Sequence, residues 1–237
     1  MHNKTKESFD YQWGNLLINY TREELIKHRD QICEFSQLPK RWFKGKTAID
    51  VGCGGGRYTW GLCDLGCEVT AIDQSENALR TTQRLCNAGT VKHDILHPFK
   101  VTPRFEGFDF VWCFGVVHHT GDTFRALKNV TSLVKKGGYL FLMIYGVPTT
   151  PEGAREVNKY EMLREKVKKM TFEEREKYIK ENISKEPKKL HGYFDAISTE
   201  TNDLYDFEEI REWLEAEGFS CKLTSDNRNH RIIAKWI

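Results

Sequence analysis

The residues best placed to do chemistry fall into a few short stretches. Asp50 stands before the glycine run D-V-G-C-G-G-G, which carries Gly52, Gly54 and Gly56 and is followed by Arg57. Asp73 closes the apolar stretch EVTAID, and Asp94 with Ile95 closes TVKHDI. His118 and His119 follow FDFVWCFG, while His191 and Tyr193 sit in HGYFD and Asn229 and His230 lie near the end. Glycine lacks a Cβ, so such a run lets a ligand approach bare backbone. A dinucleotide motif would read G-x-G-x-x-G, and its third glycine would fall at 57, where this chain has Arg57. An acid directly before the loop would repel a pyrophosphate. It suits a ligand with positive charge, such as an ammonium or a sulfonium.

The elements that must carry these residues alternate. Residues 47–51 form a short apolar strand, then the glycine loop leads into a helix reaching about Gly66. Residues 68–73 are a second strand, and 75–87 a helix with Ser75 as its N-cap. Residues 90–95 are a third strand, and 108–115 a fourth, apolar on both faces as a central parallel strand should be. Residues 122–134 are predicted as a helix with Phe124, Leu127, Val130 and Val134 on one face, ending at Gly137-Gly138 before a fifth strand at 139–145. Such strand–helix repeats imply a parallel sheet covered by helices on both faces.

The rhythm breaks over residues 148–200, where two charged helices are expected with a thin apolar stripe of Tyr160, Leu163, Val167 and Met170, then Phe172, Tyr178 and Ile179. It resumes with a helix at 206–219 that places Ile210, Trp213 and Leu214 on one face. Two final strands, joined by the polar SDNRN turn, read as a hairpin.

Composition narrows the classes. The 237 residues fit one domain, or one domain with an insertion. Six Trp and fourteen Phe supply bulk for a core despite an apolar fraction of 39%. A formal net charge of +2 gives no global reason to expect a nucleic acid or an anionic membrane. Within 151–190, twelve Lys or Arg face nine Asp or Glu, too small an excess to claim RNA binding. The seven cysteines have no CxxC spacing and read as reduced thiols; Cys63 and Cys67 lack the second pair a zinc site needs. No metal is expected. The N-terminus has no apolar targeting segment and no run approaches membrane-spanning length, so a cytoplasmic location is expected.

The run DVGCGGG resembles the first motif of class I S-adenosylmethionine-dependent methyltransferases, and further pieces resemble that family in order. The resemblance is close over residues 40–146 and holds in outline over 206–237. It implies a Rossmann-like, doubly wound α/β fold: a mostly parallel seven-stranded sheet with an antiparallel last strand and a helical insertion after strand five. It implies S-adenosylmethionine as cofactor and S-adenosylhomocysteine as product. Asp73, with Gln74 beside it, resembles the acid that accepts hydrogen bonds from both ribose hydroxyls. Asp94 and Ile95 resemble the pair that reads the adenine amino group and packs its ring. Phe114 and Gly115 belong to the stretch that runs under the methionine portion, whose carboxylate Arg57 is a candidate to hold. Lys136 stands where the family commonly has proline, a departure confined to a turn.

The N-terminal ESFDYQWGNL resembles a segment that precedes the core in some small-molecule members, where Tyr11 and Trp13 would close over the cofactor; packing of an amphipathic helix is the alternative. The resulting division has an N-terminal helical segment at 1–45, the cofactor-binding core at 46–146 and 206–237, and an insertion at 147–205 read as a substrate lid. A solvated hairpin or a homodimer contact is the alternative for the insertion.

Methyl transfer needs acceptor, methyl carbon and sulfur held in line, and a base where the acceptor is a hydroxyl. His118, His119 and His191 are the candidate bases. The His-His pair also resembles ubiquinone-biosynthesis-type methyltransferases, where it commonly serves the loop and the cofactor edge. The expected activity is methyl transfer to a small-molecule acceptor, at oxygen more than at nitrogen. An RNA or protein methyltransferase of the same fold, or a non-catalytic cofactor-binding partner subunit, are the alternatives.

Overall fold

The period-two alternation of the strands decides which layer each side chain joins. In the computed structural model, which describes residues 2–16, 19–99, 106–225 and 229–237, seven strands form one sheet in the order β3-β2-β1-β4-β5-β7-β6. They are β1 (Thr47–Val51), β2 (Glu68–Asp73), β3 (Gly89–Lys92), β4 (Phe108–Phe114), β5 (Val134–Tyr145), β6 (Phe219–Ser225) and β7 (Asn229–Trp236). β1 to β5 pair in parallel, and β7 runs antiparallel to both β5 and β6. The expected doubly wound sheet with its antiparallel last strand is therefore present. The middle of the SDNRN turn, residues 226–228, lies outside the described residues; the strands flanking it form the expected antiparallel pair.

Ile49, Val51, Val111, Cys113, Leu140 and Leu142 point to one face, packed against α6 (Thr123–Thr131) and α10 (Phe207–Ala216). Ala48, Phe110, Trp112 and Phe141 point to the other, under α2 (Arg22–Ser36) and α4 (Arg57–Asp64). Trp112 stacks on Phe141 with ring centroids 4.1 Å apart. Both faces are apolar because both are covered. Asp50 lies on the α4 face, where its parity sends it toward that helix. Ser75 caps α5 (Glu76–Leu85) as expected, its hydroxyl accepting from the Ala78 N–H.

Several boundaries differ from the sequence reading. The helix expected over 122–134 ends at Thr131, and Val134 already pairs with Phe108 in the sheet. Thr131 and Ser132 turn their hydroxyls back onto the carbonyls of Lys128 and Asn129, and Leu133 accepts from the Phe108 N–H. The strand thus captures the chain, so Gly137-Gly138 lies inside β5 and not before it. Phe124, placed on the apolar face by spacing, is 48% exposed and meets the Trp213 ring edge-on. The strand expected over 90–95 stops at Lys92, because the Asp94 carboxylate accepts from the Leu96 N–H at 3.0 Å and forms a turn.

The insertion holds three helices where two were expected: α7 (Pro151–Val167), α8 (Phe172–Asn182) and α9 (Pro187–Ser198). All seven residues of the apolar stripe join one small core, completed by Leu190, Phe194 and Ile197 of α9 and by Tyr11 and Leu16 from the N-terminal segment. The chain leaves the sheet at Gly146 and returns at Tyr205, which bridge each other; Tyr205 bonds Val147 and Tyr145 through its backbone. The insertion is therefore pinched at its base. α1 (His2–Asn15) lies between it and α5.

Gly56 precedes α4 at φ 79°, and a Cβ there would sit 2.9 Å from the Thr82 Cα on α5. Gly56→Ala should lower unfolding free energy by at least about 1–2 kcal/mol, the cost of a left-handed non-glycine residue before any overlap is counted. Urea titration checks this. An unchanged midpoint would contradict the close helix packing.

Candidate functional site

In open α/β sheets ligands settle beyond the carboxyl ends of the strands, where the strand order reverses. Here the reversal lies between β1 and β4, and a cleft of about 990 Å³, including its open mouth, lies there. The glycine loop forms one wall. Gly52 and Gly54 adopt φ 68° and φ 51°. A Cβ on Gly52 would meet Val116 at 2.5 Å, and one on Gly54 would meet Trp13 at 2.4 Å. Bare backbone at these positions lets the loop after β4 and the N-terminal segment close in. Gly56 does not line the cleft; it turns the chain into α4.

Asp73 organises the wall. Its Oδ2 accepts from the Gly54 N–H at 3.0 Å and its Oδ1 from the Ser75 N–H at 2.8 Å. Each oxygen keeps a further lone pair. Burial pushes its carboxyl up to about 6, while the backbone donors pull the other way. Asp50 is tied to α4, its Oδ2 accepting from the Thr59 hydroxyl at 2.6 Å, and burial with the nearby Asp73 charge pushes it up to about 7. Gln74, Asp94 and Ile95 line the same end as Asp73; Phe114 and Gly115 line the β4 side. Arg57, half-buried, lies over the Tyr58 ring at 4.9 Å and the Phe114 ring at 5.9 Å. These expected cofactor residues share one cleft.

The histidines separate. His119 lines the cleft, and its Nδ1 meets the Thr201 carbonyl at 2.9 Å. A carbonyl only accepts, so Nδ1 carries the proton and Nε2 keeps its lone pair. Burial pushes this histidine down to about 4, so it is neutral near pH 7. His118 is fully buried behind it, stacked 4.0 Å from Tyr145, does not line the cleft, and neither ring nitrogen has a hydrogen-bond partner. His191 lies behind Trp13, 5.1 Å between rings. Its Nδ1 accepts from the Gln12 amide at 2.8 Å and its Nε2 donates to the Leu16 carbonyl, so no lone pair remains for a substrate. As candidate bases, His118 and His191 are corrected by this packing. Tyr11 is corrected too. It turns away from the cleft, donates to Glu176 at 2.7 Å and stacks on Phe194. Trp13 does line the cleft.

Sequence reasoning missed several lining residues, Tyr20, Thr120 and Asp195 among them. Asp195 lies four residues after His191 on α9, and it is the insertion's sole lining residue among those described. Helical spacing within HGYFD would have flagged it, had α9 been recognised.

The strand order, the glycine loop and the acid at the end of β2 define a class I methyltransferase fold. Residues 49–140 match the family model described as a methyltransferase domain. Over 103 residues the chain is 36% identical to a ubiquinone biosynthesis O-methyltransferase from Coxiella burnetii, covering 41% of this chain and 43% of that one. The chain thus spans less than half the length of that curated relative. A magnesium protoporphyrin IX methyltransferase from Synechocystis PCC 6803 with bound S-adenosylmethionine superposes with a TM-score of 0.56 at 16% identity, covering 99% of this chain and 97% of that one. The N-methyltransferase NodS from Bradyrhizobium japonicum, in complex with S-adenosylhomocysteine, gives 0.57 at 14% identity, covering 98% and 97%. The chain is thus similar over residues 49–140 to methyltransferase domains, and its fold is that of S-adenosylmethionine-dependent methyltransferases of known structure. Among the described residues no helix is long and apolar enough to cross a membrane.

An acid whose folded pKa is raised holds its proton where the unfolded chain has lost it, so its contribution to stability falls as pH rises. For Asp50 that window runs from its ordinary 3.8 to about 7. Asp50→Asn keeps an acceptor for Thr59 and lacks this loss. Its melting temperature relative to wild type should therefore climb between pH 4 and pH 7 in thermal-shift measurements. A pH-independent offset would contradict the assignment.

Proposed function

We propose that the protein transfers a methyl group from S-adenosylmethionine to a small-molecule acceptor, at oxygen more than at nitrogen. The observation that carries this reading is the Asp73 carboxylate, fixed by the Gly54 and Ser75 N–H groups beside bare glycine backbone. Its remaining lone pairs suit two ribose hydroxyls. Asp94 and Ile95 would face the adenine, with Gln74 beside the ribose, and Arg57 would take the methionine carboxylate. The donor set fits a nucleoside with a positively charged sulfur, because Asp50, Asp73, Asp94 and Asp195 outnumber the guanidinium of Arg57 in the cleft. When bound, that cofactor supplies a methyl carbon whose bond to sulfur breaks as the bond to the acceptor forms, the electron pair staying on sulfur.

The chain's own part is orientation, exclusion of water and proton removal. Positioning alone can supply about 7–11 kcal/mol in favourable cases. Trp13 covers the glycine loop and packs on His191 of the insertion, which would serve as a lid. His119 is the residue assigned to take the acceptor's hydroxyl proton on Nε2, its tautomer set by the Thr201 carbonyl. Residue 201 lies at the end of the insertion, so lid and base are linked through one hydrogen bond. Oxygen is favoured because a hydroxyl needs such a base and because the relatives bear that name. Similarity to an N-methyltransferase means that the fold itself does not choose.

With methyl-labelled S-adenosylmethionine and a cell extract, label should enter the low-molecular-weight fraction; label confined to RNA or protein would overturn the small-molecule reading. In that assay His119→Gln should lower turnover by about 10²–10⁴-fold, the usual worth of a general base, with cofactor affinity near wild type. Unchanged turnover would remove His119 from the chemistry. Asp73 must be ionised to accept both ribose hydroxyls, and its carboxyl sits at about 6. Calorimetry should therefore find S-adenosylhomocysteine bound about tenfold more weakly at pH 5 than at pH 7; equal affinity would contradict the ribose assignment.

A further inference from the structure

Asp195 is placed unusually for an insertion residue. It reaches the cleft from α9, and its Oδ1 is sealed from solvent with no hydrogen-bond partner. The Gln12 amide lies beside the carboxyl, and burial pushes it up to about 6. Arg57, the first residue of α4, lines the same cleft, and Asp195 feels its charge although the two form no ion pair. The Tyr20 hydroxyl faces Arg57 and completes this end of the cleft. An anion and a cation that line one cleft without pairing match a ligand group that carries both charges in the reverse sense. An unpaired buried carboxylate is costly, and a ligand cation offsets that cost.

We propose that Arg57 and Asp195 form a clamp for an α-amino-acid zwitterion, Arg57 taking the carboxylate and Asp195 the ammonium. This deepens the methyltransferase reading and rests on it. Arg57 belongs to the core and Asp195 to the insertion, so an amino-acid group between them fastens the insertion to the sheet. Gln12 extends the device: it bonds His191, which packs on Trp13 over the glycine loop. Two molecules can present the zwitterion, the amino-acid tail of S-adenosylmethionine and an amino-acid acceptor.

The test compares S-adenosylhomocysteine with 5′-methylthioadenosine, which lacks the amino-acid tail, by calorimetry on wild type and Asp195→Asn. If the cofactor tail is the occupant, the variant binds S-adenosylhomocysteine at least about tenfold more weakly, the worth of one charge-assisted hydrogen bond, and methylthioadenosine as before. If an amino-acid acceptor is the occupant, both nucleosides bind equally well to both proteins. One of the twenty amino acids then raises the melting temperature of wild type saturated with S-adenosylhomocysteine, and not that of the variant. Equal nucleoside binding with no amino acid distinguishing the two proteins overturns the clamp. Deaminated S-adenosylhomocysteine on wild type gives a readout independent of how the variant folds: the tail arm expects the same tenfold loss. A purely structural Asp195 would show itself differently, as a variant that melts lower with unchanged affinities. Failure of the methyltransferase reading is distinct again, since wild type would then bind neither nucleoside.

Discussion

The hydrogen bond from the Gly54 N–H to the Asp73 carboxylate joins the loop after β1 to the end of β2, and the rest of the site depends on it. It fixes the glycine loop with its backbone facing the cleft and fixes the carboxylate with lone pairs to spare. It also holds an anion where burial disfavours one. Asp50 lies in the same predicament beside it, and Asp195 arrives from the insertion. Asp94 lines the cleft as well, and among the described lining residues Arg57 is the one Lys or Arg set against these four acids. A cleft of that kind favours a cationic ligand and opposes a pyrophosphate. The electrostatics and the missing third glycine of a dinucleotide loop point the same way.

Much of this was legible in the sequence because it follows from local rules. The strands announced themselves by short apolar runs, and β4 read as a central parallel strand because it is apolar on both faces. Ser75 read correctly as a cap because the rule behind it involves three residues and one hydroxyl. The acids at the ends of β1, β2 and β3 fell into one cleft because parallel topology brings those ends together.

What was not legible depended on long-range contacts. Val134 looked helical by spacing, but pairing with Phe108 draws it into the sheet. Phe124 shares that spacing and is half exposed. The three candidate histidines have the same side chain and differ only in what surrounds them: a carbonyl and an open side for His119, an apolar enclosure for His118, and two hydrogen bonds for His191. Tyr11 and Trp13 lie two residues apart on α1, so they face different ways, one into the insertion and one onto the loop. Asp195 escaped notice because its role appears only once α9 is laid against α1.

The central claim is that the cleft takes a sulfonium nucleoside with its sugar on Asp73. A crystal structure of the protein soaked with S-adenosylhomocysteine tests it most directly. The account predicts both ribose hydroxyls within hydrogen-bonding distance of the Asp73 carboxylate and the adenine between Ile95 and the Asp94 turn. Density for the nucleoside elsewhere, or a pyrophosphate compound seated on the glycine loop in its place, would contradict it.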